Sequence, residues 1–204
     1  EFITKTAKLA AEKGVASVPA LLSEKIGNAT VEASLKETIG KLGENIQVKK
    51  VAALGGNGST LIENYIHAPL EQAPQCGSLA VILQLEAPKA TEDVKGLAKE
   101  LCMQVAAANP RWISKDNVPA DIIEKEKAIY KEQCRQSGKP EQAWGKITEG
   151  KLNDFFKQFC LMEQSHVRDS SGKTPVSALL KQVSEKAGSP LTIKAFVRVK
   201  MGEE

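Results

Sequence analysis

The stretch from Asn109 to Cys160 constrains the fold more than any other part of this chain. It holds two helical segments, Ala120–Gln136 and Glu141–Phe159, separated only by Ser137-Gly138-Lys139-Pro140. The first is rich in Glu, Lys and Gln. The second carries Trp144, Ile147, Leu152, Phe155, Phe156 and Phe159. Gly138 suits the left-handed residue that ends a helix, and Pro140 suits the opening turn of the next. So short a connection makes the two helices run antiparallel. The spacing therefore predicts a helical hairpin that projects from a body built by the sequence on either side.

Ahead of the hairpin, Glu1–Lys13 has helical spacing and Gly14 stops it. A short helix follows Ser17-Val18-Pro19. After a loop at Gly27-Asn28, Thr30 caps a third helix with Leu35 and Ile39 on one face, closed by Gly40 and Gly43. From Ile46 the period changes. Ile46–Leu54 alternates imperfectly, as a half-buried strand would, and Gly55-Gly56-Asn57-Gly58 reads as a turn into a second strand over Leu61–His67. A Pro-containing loop is expected from Ala68 to Gly77. Ser78–Glu86 is the strongest strand and apolar enough to lie centrally in a sheet. Thr91-Glu92-Asp93 opens a helix that runs to Ala108, where Asn109-Pro110 ends it.

Beyond the hairpin, Leu161–Val167 reads as extended and Thr174-Pro175 as a cap for a helix carrying Val176, Leu179, Leu180 and Val183. Leu191–Val199 alternates as a strand. The fold class is α+β: two small subdomains, each an antiparallel sheet backed by helices, with an inserted antiparallel helical-hairpin (coiled-coil) arm. The expected boundaries are 1–88 for the first subdomain, 89–118 with 161–204 for the second, and 119–160 for the arm.

Composition narrows the function classes. The net charge of +3 comes from 28 basic and 25 acidic residues, interspersed. That is too weak and too mixed for a phosphate-neutralising face, so no direct nucleic-acid contact is expected. No apolar run approaches a membrane span, and no membrane contact is expected. Cys76, Cys102, Cys134 and Cys160 form no CxxC pair and read as free thiols in a reducing compartment. Gly172-Lys173-Thr174 resembles the tail of a phosphate-binding loop, but Val167 stands where that motif needs glycine, so a helix-capping turn is the reading. His67 and His166 lack acids or cysteines at metal-ligand spacing. No catalytic residue, metal site or cofactor is expected. The apolar stripe of the first arm helix is thin (Ile122, Ile129, Cys134). This predicts contact through Ile122, Ile129, Trp144 and Ile147 with a second copy of the chain or another protein.

Several stretches, taken together and in order, resemble one family. They are Gly43-Glu44-Asn45-Ile46 with Lys49-Lys50-Val51-Ala52-Ala53-Leu54; Met103–Pro110 (MQVAAANP); Val118-Pro119-Ala120 with Glu124-Lys125-Glu126; and Ser137-Gly138-Lys139-Pro140 with Glu149-Gly150-Lys151-Leu152. Leu161-Met162-Glu163-Gln164 and Phe196-Val197-Arg198-Val199 complete the set. The chain is similar to elongation factor Ts, the nucleotide-exchange factor of translation elongation. The resemblance implies an α+β core with an inserted arm. It also implies binding to the GTPase elongation factor Tu and faster GDP release through disruption of the partner's magnesium and phosphate site, without covalent chemistry.

Carried over by position, the implied contacts are Leu42, Gly43, Glu44 and Asn45 at the helix-to-strand junction, His67 at a strand end, and Val167 and Arg168 in a loop. The family pattern places a small helical domain and a Thr-Asp-Phe-Val-Ala motif ahead of Glu1, so the chain is expected to be the core region without them. Ser165-His166 stands where the family often has Pro-Phe. An alternative is a binding module that docks on elongation factor Tu or the ribosome without promoting exchange. The implied setting is bacterial cytoplasm, or the interior of a chloroplast or mitochondrion.

Overall fold

The structure, a computed structural model, describes residues 1–203. Three helices open the chain: α1 (Phe2–Lys13), α2 (Val18–Ser23) and α3 (Val31–Leu42). A two-residue ladder, β1 (Lys25–Ile26) with β2 (Ala29–Thr30), sits among them. Ala10, Leu21 and Val31 are buried at their centre. Each helix begins or ends where side-chain chemistry demands. Ser17 and Thr30 accept the amide protons of Ala20 and Ala33 at the two N-termini. These caps satisfy donors that the first turn leaves free.

The main sheet has three antiparallel strands in the order β3 (Thr60–Leu70), β4 (Ala73–Glu86), β5 (Thr192–Lys200). It takes two strands from the stretch before residue 88 and one from beyond the arm. In β4, alternate residues Leu79, Val81, Leu83 and Leu85 are buried. They face α4 (Glu92–Ala108) and α7 (Val176–Ala187) across a single core that includes Val94, Leu97, Leu101, Val105, Val176 and Leu180. Each such side chain contributes about 1.5–3 kcal/mol through burial. The architecture is α+β, with seven helices and two antiparallel sheets of unequal size.

The arm is α5 (Ala120–Gln136) and α6 (Glu141–Phe159), the two helices anticipated from the hairpin spacing. Gly138 has φ 63°, the left-handed conformation that the turn requires. At the arm's base, Val118, Phe155 and Cys160 are buried with Trp112, Ile122, Ile123, Leu152, Phe156 and Phe159 around them. The amides of Arg111 and Trp112 both donate to the carbonyl of Phe159, and Leu161 donates to that of Trp112. The two ends of the insertion are thus laced together where they leave the body.

Four local expectations fail. Ile46–Leu54 is not a strand. Its adjacent Lys49-Lys50 breaks the alternation, and Val48 and Val51, three apart, both pack on the α1–α3 cluster. The pairing position beside β3 goes instead to β4, so the hairpin turn lies at Glu71-Gln72 and the expected loop from Ala68 to Gly77 is mostly ladder. Pro69 is tolerated because β3 is an edge strand. Leu161–Val167 is extended only at Gln164 and Ser165, which bridges Pro175: Leu161–Glu163 forms a 3-10 turn that drives Leu161 into the core. Pro175, not Thr174, occupies the N-cap of α7, and no side chain caps it.

Candidate interaction surfaces

The first group of residues expected to make contacts ends α3. Gly43 has φ 72° and donates its amide to the Ile39 carbonyl at 2.8 Å, closing the helix. A side chain at that backbone angle is strained, so glycine fits both a helix stop and a close approach. The turn leaves Leu42 61% exposed, an unusual position for a large apolar side chain. Leu42 borders a groove of about 400 Å³ between α1 and α3, which Phe2, Ile26 and Thr38 also line. Glu44 and Asn45 follow, both exposed.

His67 lies on the edge strand β3 and is exposed. Its Nδ1 is 3.0 Å from the Tyr65 hydroxyl. The next residue, Ala68, has φ 48°, left-handed backbone that alanine adopts only at a cost. The opposing strand accommodates this with Gly77. A Cβ there would sit 2.5 Å from the His67 carbonyl and 2.6 Å from Ile66. A register shift follows between Pro69 and Leu70. The presentation of His67 thus depends on a local irregularity and on a glycine facing it.

Val167 and Arg168 occupy a loop between the 3-10 turn and α7. Val167 is 46% exposed, but its amide is not free: it donates to Oε1 of Gln104 at 2.8 Å. Gln104 sits on α4 with no exposed surface. Its Nε2 donates to Gln164 Oε1 at 3.1 Å and to the Ser165 carbonyl at 3.2 Å. Gln164 is held in turn, donating to the carbonyls of Gln158 and Ala108. One helical turn before Gln104, the Glu100 carboxylate lies 3.3 Å from Arg168 and 3.5 Å from His166 Nε2. Past the loop, Asp169 accepts protons from the amides of Ser171, Lys173 and Thr174 and from the Ser171 hydroxyl. Those bonds, that from the Ser171 hydroxyl foremost, hold its carboxyl well below the usual carboxylate range. The resemblance of Gly172-Lys173-Thr174 to a phosphate loop is thereby accounted for: an aspartate-centred turn occupies that space.

Along the arm, Ile122 faces the base cluster rather than outward. The inward stripe of α5 runs through the half-buried Ile122, Ile123 and Tyr130 to the buried Cys134, whereas Ile129 lies off it and is 49% exposed. Trp144 and Ile147 are half-buried, and the Trp144 indole donates to the Lys139 carbonyl at 2.8 Å. Thr148 is buried in the arm with its hydroxyl unpaired. Near the base, a groove of about 360 Å³ is lined by Arg111, Glu126, Tyr130, Lys151 and Asp154, cations and carboxylates in balance. Burial, then Glu126, push the Tyr130 phenol up to about 12.

No hydrogen bond or ion pair joins these groups to one another among the described residues. They are separate surface elements on one frame. Sequence reasoning missed Glu100, Gln104 and Gln164, which shape the loop. The signal was present: Gln104 follows Leu97 and Leu101 at core spacing, so a polar residue falls on an apolar stripe. Among the described residues, no three His, Cys, Asp or Glu side chains gather as a metal site would require. No helix among them is long and apolar enough to cross a membrane.

The fold defines a class: an α+β body that lifts a two-helix arm and displays several short exposed turns. The profile of the family described as Elongation factor TS matches residues 1–203, and the chain belongs to that family. It is 37% identical over 203 residues to an Elongation factor Ts of Clostridium perfringens strain SM101, covering 99% of this chain and 64% of that protein. The corresponding protein of Clostridium acetobutylicum strain ATCC 824 is 35% identical over 96% of this chain and 61% of its own length. That of Clostridium kluyveri strain ATCC 8527 is 39% identical over 163 residues, 80% of this chain and 50% of that protein. The matches thus span from half to just under two thirds of the length of these curated relatives.

Proposed function

We propose that the chain is a guanine nucleotide exchange factor that binds elongation factor Tu and promotes release of GDP by disrupting the partner's magnesium and phosphate site. The match to the elongation factor Ts family over residues 1–203 carries this reading. In this proposal Leu42, Gly43, Glu44, Asn45, His67, Val167 and Arg168 meet the GTPase. The exposed Leu42 and Val167 supply apolar contacts, and Arg168 supplies charge. The arm, through Ile129, Trp144 and Ile147, is left for a second copy or another protein. The chemistry is one of linkage. A protein that binds the nucleotide-free GTPase more tightly than the loaded form weakens nucleotide affinity by the same factor. No bond is made or broken, and no cofactor is called for. The bacterial relatives support a setting in bacterial cytoplasm, with an organelle of bacterial descent as the other possibility.

The test is release of a fluorescent GDP analogue from elongation factor Tu, with and without the chain at micromolar concentration. Faster release supports exchange. Binding by calorimetry without faster release points to a docking module. Absence of both binding and acceleration refutes the reading.

A further inference from the structure

We propose that Gln104 and Glu100 are positioning residues that hold the Gln164–Arg168 loop in its docking shape before any partner arrives. This rests on reading Val167 and Arg168 as partner contacts. The argument begins with cost. A primary amide with no exposed surface stays in a core only if its polar atoms are matched. Gln104 matches them entirely with loop groups: one acceptor to the Val167 amide, both donors to Gln164 and the Ser165 carbonyl. The partners fix which way the amide points, because the flipped orientation would set donor against donor at Val167 and acceptor against acceptor at Ser165. None of these bonds serves α4 itself.

Glu100 adds a second rung. It lies one turn away on the same helix and accepts a hydrogen bond from Arg168 on one flank of Val167, while His166 Nε2 on the other flank lies 3.5 Å from its carboxylate without a hydrogen bond. The two side chains thus grip the loop from beneath while Val167 is left 46% exposed above. A loop already ordered in its bound form loses less freedom on binding, and the gain shows mainly as slower dissociation. Arg168 is also biased by its single 3.3 Å contact with Glu100, a weak one because its side chain is 62% exposed.

The test uses the full chain against immobilised elongation factor Tu with GDP bound, and amide hydrogen exchange in the free chain. Gln104→Met keeps the shape and removes every hydrogen bond. It is expected to raise exchange at residues 165–168 about tenfold and to speed dissociation about tenfold, the loss of a buried bond's matching partners. Exchange at Leu83 and Val94 is expected to stay at its wild-type rate. Glu100→Ala, at a partly exposed site that the fold tolerates, is expected to speed dissociation several-fold, and it decides the matter if Gln104→Met does not fold.

A rise in exchange spread evenly over the core overturns the proposal, since Gln104 would then be a structural residue only. Unchanged dissociation in both variants overturns it too. Arg168→Ala and Val167→Ala separate the two layers. If they weaken binding while the two clamp variants do not, positioning alone fails. If they leave dissociation unchanged, the docking reading of the loop fails and the positioning role falls with it.

Discussion

Phe155 holds the arm to the body, and its removal is expected to loosen the whole insertion. Its side chain is 6% exposed and touches three other rings, with centroids 5.0 Å from Phe159, 5.9 Å from Phe156 and 5.9 Å from Trp112. Phe155→Ala removes most of an aromatic side chain's buried area, and substitutions of this kind cost about 3–5 kcal/mol. Aromatic pairing contributes about 0.5–1.5 kcal/mol per pair beyond burial. Three pairs meet here, so the loss should fall in the upper half of that range. Trp112 belongs to the body side of this cluster, so its fluorescence reports the anchor. With Trp144→Phe as background, Trp112 is the sole indole. Urea unfolding should then give a midpoint well below that of the parent, with Trp112 emission shifted to the red even without denaturant. A loss under about 1 kcal/mol with unchanged emission would show that the backbone lacing at Phe159, not the ring cluster, anchors the arm.

Gly77→Ala should destabilise the sheet by about 1–3 kcal/mol, because the atom that the new methyl meets is a backbone carbonyl that cannot rotate away. Urea unfolding checks this, and a change within about 0.5 kcal/mol would contradict the geometry. Of the four cysteines, Cys102, Cys134 and Cys160 are buried and Cys76 is partly exposed. Burial, then Glu63, push the Cys102 thiol up to about 12, and burial, then Glu163, push Cys160 up to about 11. A thiol reagent at neutral pH should therefore titrate one fast cysteine in the native chain, and Cys76→Ser should abolish that phase. The Asp169 carboxyl titrates lower in the folded chain than in the unfolded one. Its contribution is therefore present above the ordinary carboxylate pKa of about 3.9 and fades only as pH falls through the lower folded value. Side-chain carbon shifts by NMR should show Asp169 still ionised where exposed carboxylates have protonated.

Legibility from the sequence followed how local the determining interaction was. The arm was readable because Gly138, Pro140 and the aromatic spacing of α6 act within a few residues. The helix ends at Gly14, Gly43 and Asn109 were readable for the same reason. The β3–β4 hairpin was misplaced because two candidate partners for β3 existed. The choice between them depended on which one could also cover α4. Local alternation in Ile46–Leu54 carries no information on that point. Among the residues expected to make contacts, Leu42–Asn45 and Val167–Arg168 fall on exposed turns, although no strand follows Asn45 as the pattern had suggested. Ile122 does not face outward, because a register set by Tyr130 and Cys134 rotates it toward Phe155. Ile129 lies off that stripe and is 49% exposed. The clamp beneath Val167 joins residues some sixty positions apart, and a pattern read over one or two helical turns does not reach that far.

The order of strands also sets the order of events during synthesis. β4 is the central strand, yet β5, its second neighbour, is made only after the entire arm. While a ribosome adds the intervening residues, at about 5–20 per second, the newly made β4 keeps one bare edge for several seconds. Beyond its base the arm packs within its own hairpin, and such local helical contacts close on the microsecond-to-millisecond scale. It is therefore finished before the body that carries it. Pulse-labelled exchange during refolding should find the amides of α5 and α6 protected before those shared by β4 and β5. An aggregation-prone edge, open until the last strand arrives, is the kinetic cost of threading one sheet through both ends of an insertion.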